Sequence, residues 1–229
     1  MDAEAKANIE ARCLQSKQRC IDLGRLLPTT RPSLLRADFA RKAIDLAIEH
    51  HSAIIGLVMH QHYASAGSLM RPLLEAGACA FWFMYSAPSD RVLELEKASR
   101  GLSTADTPTL GDMLKSLKGV LPDVEDLRRS MENKGAGTWL HKFTHGGLLQ
   151  LGRRGNDQMW SEREILTHLV VGDLFLVTAI SVGSLTYDAP ELGALSFWHR
   201  DLLAKESAAL QALQSVPPQA SQLPPPLRD

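Results

Sequence analysis

Cysteine is scarce in this chain of 229 residues: Cys13, Cys20 and Cys79 are the only three, and no two form a CxxC pair. A disulfide scaffold and a thiolate zinc site are thereby excluded, and buried thiols in a reducing compartment are expected. Charge of one sign is also missing. A formal net charge of −1 excludes nucleic-acid binding driven by overall charge and leaves room only for a local basic site. The first residues, Met-Asp-Ala-Glu-Ala-Lys, lack the basic-then-apolar pattern of a signal peptide, so a cytoplasmic location is expected. Phosphate loops of the Walker type, GxGxxG, HExxH and GxSxG are all absent, and serine- or cysteine-based catalysis has no support. No cofactor is expected. Period-two alternation over several strands is missing, and so is any internal repeat.

What the chain does have is helical patterning in an ordinary globular composition, 45% hydrophobic and 22% charged. The fold expected is all-α, a bundle of four or five long helices with a long decorated crossover. Residues 1–32 read as an N-terminal helix and connector, 33–214 as the bundle, and 215–229 as a disordered Pro-rich tail. The first helix has only a modest stripe (Ile9, Cys13, Ile21, Leu23), which suits packing at an edge. A second helix runs to about His62, with Leu35, Phe39, Ala43, Leu46, Ala47, His50 and Ile54 as its inward face. Ser161 and Glu164 form a capping box for a long helix reaching about Tyr187. Its segment Leu169 to Thr186 is apolar enough to test as a membrane span, but Asp173 within it favours a buried bundle helix.

The chain is organised around Ala64 to Ser86. Here Ser68, Arg71, Glu75, Cys79 and Trp82 recur at steps of three and four and share one face of a mostly apolar helix. Pro72 removes a backbone hydrogen bond and favours a kinked helix, the alternative being the first turn of a shorter one. Arg71 and Glu75 can form an internal salt bridge that fixes register. Alternatively, Glu75 orients Arg71 so that its guanidinium holds a phosphate or carboxylate, with Ser68 beside it.

A second half of the candidate site lies in the crossover. His141 and His145 are spaced to share a helical face, but without carboxylate or thiolate partners they indicate no metal. His145 precedes Gly146-Gly147, where a helix C-terminus favours the protonated imidazole; it serves there either as a cap or as an acid-base group. Arg153 and Arg154 follow closely enough to line the same opening. His50-His51 and His60-x-His62 do not share a helical face, so no metal site follows from them.

At Ala66-Gly-Ser-Leu-Met-Arg-Pro-Leu-Leu-Glu-Ala76 and Phe143-Thr-His-Gly-Gly147 the sequence resembles bacterial helical-bundle families that are similar to HEPN domains. The resemblance spans about Ala37 to Tyr187. It implies a helical bundle, often dimeric, in a superfamily of RNA-cleaving toxins, phage-defence proteins and non-catalytic members, and it maps a site onto Arg71, Glu75 and His145. RNA cleavage without metal is the first function expected from it, with Arg71 on a phosphate and His145 moving the proton from a ribose hydroxyl. The second is a non-catalytic module binding an anionic or nucleotide-like ligand, or a protein partner. The HEPN Arg-x4–6-His signature itself matches only at Arg163 and His168, with Glu after the Arg where the family more usually has a neutral polar residue.

Overall fold

A computed structural model describes residues 1–120, 129, 140, 144 and 160–212. Every regular element among these residues is a helix. In chain order they are α1 (Ala3–Arg25), α2 (Leu35–Met59), α3 (Tyr63–Ser68), α4 (Met70–Tyr85), α5 (Ser89–Ser99), α6 (Leu110–Leu117), α7 (Glu162–Ser181), α8 (Gly183–Thr186) and α9 (Pro190–Ala212). The all-α bundle read from the sequence is the observed fold. The expected Pro-rich tail lies outside the described residues.

The centre of the bundle is α7, which packs against α1, α2, α4 and α9. It starts as its sequence dictates: the Ser161 hydroxyl accepts the Glu164 amide, and the Glu164 carboxylate reaches back to the Ser161 amide. The stretch Glu162–Thr186 is long and apolar enough to cross a membrane by length and composition. In the bundle its apolar residues are core instead: Ile165, Leu169, Leu176 and Ile180 are almost wholly buried. Small residues bring the neighbouring helix close. A Cβ on Gly77 of α4 would stand 3.3 Å from the Ala179 Cβ, so α4 and α7 approach at a point where only glycine fits without displacement.

The chain turns back at 60–62, where Gln61 takes a left-handed φ of 60°, and α4 lies along α2, joined by the stacked rings of Phe39 and Phe83. The helix expected to kink at Pro72 is in fact interrupted at Leu69, which places Pro72 in the first turn of α4, where its missing N–H is tolerated. The inward face of α2 is also rotated from its expected phase. Ile44, Ala47, His51, Ile54, Ile55 and Val58 point in, whereas Leu46 is 44% exposed and His50 sits at the margin.

The first helix is more deeply packed than its hydropathy indicates. Cys13 and Leu23 are wholly buried and Ile9 nearly so, while Ile21 faces out. Burial pushes the thiols of Cys13 and Cys79 up to about 11, so both are protonated at neutral pH and unreactive by that measure.

Candidate functional site

The stripe on α4 forms in part as expected. Arg71 Nε donates to Glu75 Oε1 at 2.8 Å, and the two side chains are 29% and 38% exposed. Ser68 ends α3 and turns its hydroxyl back onto the Ser65 carbonyl at 2.7 Å. Cys79 is half-buried and Trp82 is part of the core. A half-exposed pair one turn apart contributes little, about 0.3–0.5 kcal/mol. Glu75→Ala, which removes this pair, is therefore expected to lower the melting temperature by only about 1–2 °C. A thermal melt checks this, and a fall several times larger would mean that the pair holds the fold.

His141, His145, Arg153 and Arg154 lie outside the described residues. Arg163 is half-buried on the first turn of α7, with its carbonyl accepting the Thr167 hydroxyl. His168 is buried, its Nδ1 2.5 Å from the Glu164 carbonyl and its ring edge-on to Trp160. That environment keeps the imidazole against its own helix and an indole, away from bulk solvent.

The densest constellation of charge among the described residues lies elsewhere, around Asp173. Asp173, in the middle of α7, is wholly buried, and its carboxylate collects donors from α1 and α2. His51 Nε2 donates to Oδ1 at 2.6 Å. On Oδ2, Arg12 Nη2 donates at 2.8 Å and the Ser16 hydroxyl at 3.0 Å, and Arg19 Nη1 makes a further close ion pair. Arg12 in turn binds Glu206 of α9 through Nε at 2.6 Å, and Arg19 Nε donates to Nδ1 of the buried His199 at 3.2 Å. Two arginines against two carboxylates balance before His51 is counted.

The protonation of the cluster follows from these contacts. Burial alone would raise the Asp173 pKa, but the His51 hydrogen bond and the charges of Arg12, His51 and Arg19 outweigh it and hold the carboxyl below its usual range. Burial likewise works against charge on His51, and its bond to Asp173, with a lesser contribution from the adjoining Cys20, reverses that and raises its pKa. His199 is moved the other way, first by burial and then by the neighbouring Arg19 charge. A carboxylate with every donor already supplied by the protein is an internal pin across four helices, closed to substrate. Asp38, at the first turn of α2, is a second buried carboxylate, gripped by Arg31, Arg41 and Lys42 from the surface.

Open space lies elsewhere. A cleft of about 680 Å³ runs between α4, α6, α7 and α9. Leu74, Phe81, Leu114, Leu117, Phe175 and Val177 form most of its wall, and Thr178, Phe197, Arg200, Asp201 and Ala204 stand exposed at its rim. The two rim charges are of opposite sign. Among the described residues no group of three His, Cys, Asp or Glu side chains is placed to hold a metal ion.

Residues 44–194 match the model of a protein family described as a family of unknown function (DUF6988). The chain belongs to that family. The segment matched to DUF6988 holds both members of the His51–Asp173 pair and the α4 and α7 walls of the cleft, whereas Arg12, Arg19 and Glu206 fall outside it. No curated protein and no solved structure matches the chain.

Proposed function

We propose that this DUF6988 chain is a non-catalytic helical binding module whose ligand site is the cleft between α4, α6, α7 and α9. One observation carries the reading: the strongest charge cluster is sealed by its own salt bridges, while the cleft is open, apolar and within the roughly 300–1,000 Å³ range of small-molecule sites. Binding there draws on burial of apolar surface, about 25 cal/mol per Å² removed from water. The test is titration with N-phenyl-1-naphthylamine, a neutral apolar fluorophore. Saturable enhancement by the wild type, lost in the rim variant Ala204→Trp, is the expected result. A folded wild type that leaves the probe dark would end this reading.

The sequence resemblance supports a second reading, HEPN-like RNA cleavage in a toxin or defence setting, with Glu75 orienting Arg71 and His145 moving the proton. The Arg71–Glu75 pair it invokes is formed, with Arg71 Nε on Glu75 Oε1 at 2.8 Å. Induction of the wild type, Arg71→Ala and His145→Ala in a bacterial host separates the two. A binding module leaves growth and total RNA unchanged in all three, whereas fragmentation lost in both folded variants would replace it with the enzyme. A cytoplasmic homodimer fits either reading. The exposed Leu185, Phe197, Trp198 and Leu202 along α8 and α9 supply apolar surface for a second copy.

A further inference from the structure

Five hydroxyl-bearing side chains line the cleft, Tyr85 among them, and three of the four serines and threonines bond a carbonyl three or four residues earlier in the chain. Thr178 Oγ1 donates to the Leu174 carbonyl at 2.7 Å, Ser181 Oγ to Thr178 at 2.7 Å and Ser184 Oγ to Ser181 at 2.8 Å. Ser196 differs. It is 2% exposed, lines the same cleft from α9, and its Oγ has no hydrogen-bond partner among the described residues. A buried hydroxyl without a partner is a cost the fold carries, and such groups are rare unless a water, ion or ligand completes them. One turn earlier on α9, a Cβ on Gly193 would come within 3.3 Å of the Ser184 Cβ, so α8 and α9 close tightly beside Ser196.

We infer that the cleft takes an uncharged, largely apolar small molecule carrying one hydrogen-bonding group, a hydroxyl or carbonyl, which is seated on Ser196. The inference rests on the cleft being the binding site. The apolar wall disfavours a charged ligand, because an ion there would lose its hydration without a buried counter-charge to replace it. The two rim charges, Arg200 and Asp201, are exposed and oppose each other, so neither sign is selected. Ser196 then decides between otherwise equal apolar molecules, because only one that hydrogen-bonds it relieves the orphaned hydroxyl.

Displacement of bound N-phenyl-1-naphthylamine by naphthalene, 2-naphthol and 2-naphthalenesulfonate tests this. The wild type should prefer 2-naphthol to naphthalene by about tenfold and bind the sulfonate more weakly than either. Ser196→Ala should erase the naphthol preference while leaving naphthalene unchanged, and Ser196→Thr, which keeps a hydroxyl, should retain part of it. Equal affinities for naphthalene and 2-naphthol in the wild type would overturn the Ser196 assignment while leaving the cleft as the site. Tighter binding of the sulfonate would overturn the uncharged class. No probe binding, with Ala204→Trp or Thr178→Trp converting a dimer to a monomer in sedimentation, would make the cleft a contact between copies and overturn both readings.

Discussion

Asp173→Ala should lower stability by about 3–5 kcal/mol, which in a chain of this size is a fall in melting temperature of roughly 6–20 °C. The size of the effect comes from what is left behind. Arg12 and His51 are almost inaccessible to water, and Arg19 is only slightly less so. With the carboxylate gone, Arg19 and His51 lose their counter-charge and Arg12 keeps only the partly exposed Glu206, in a medium that solvates none of them well. Asp173→Asn should fall between the wild type and the alanine variant, because it preserves shape and one acceptor. The triple replacement Asp173→Leu, Arg12→Met, Arg19→Leu should recover much of the loss, since a buried ion network can be exchanged for well-packed apolar side chains with little net change. Urea denaturation of the variants decides the matter. A melting temperature for Asp173→Ala within a degree of wild type would show that the cluster is not the pin described above.

Stability should also pass through a maximum near neutral pH and decline on both sides, with His51 and His199 governing opposite limbs. The raised pKa of His51 means the folded state holds its proton more tightly than the unfolded chain does. Its contribution is complete below the ordinary imidazole pKa of about 6.5 and is lost as pH rises through the raised folded value. For His199 the folded pKa is depressed, so stability declines as pH falls from about 6.5 through that lower value. Asp173, also depressed, extends the acid limb: its contribution is present above the ordinary carboxylate range and is lost as pH falls through the folded value. Each unit of separation contributes about 1.4 kcal/mol. The groups facing His51 are Asp173 from α7 and Cys20 from α1, with Arg12 and Arg19 sharing the same carboxylate. Thermal melts from pH 5 to pH 8, below the range in which the unfolded thiols of Cys13 and Cys79 ionise, should show the alkaline decline in the wild type and a flat profile above neutrality in His51→Gln. An alkaline limb that persists unchanged in His51→Gln would assign it to another group.

The architecture was legible because it is written in local chemistry. The Ser161/Glu164 box, the run of apolar residues after it and the four-residue spacing of Arg71 and Glu75 each fix a feature without reference to distant chain. The charge cluster was not legible for the opposite reason. On α1, Arg12, Ser16 and Arg19 share a polar stripe that hydropathy assigns to water, yet the stripe faces inward because Asp173 lies beneath it, more than 150 residues away. The same carboxylate turns α2. His51 points at Asp173; of the expected inward face Ala43, Ala47 and Ile54 are buried, whereas Leu46 and His50 stand off it, His50 by one residue, about 100° around the helix. Asp173 was a usable signal: a lone carboxylate in an apolar helix needs partners, the argument that identified Arg71 and Glu75.

The cluster also sets an order of events during synthesis. The arginines of α1 emerge from the ribosome long before residue 173 is made, and their counter-charges on α7 and α9 arrive in the last third of the chain. Until then Arg12 and Arg19 lack the carboxylates they pair with in the fold, and docking α1 early would bury charge without them. Although α1 precedes α7 and α9 in the chain, it is locked in place only once they have been made.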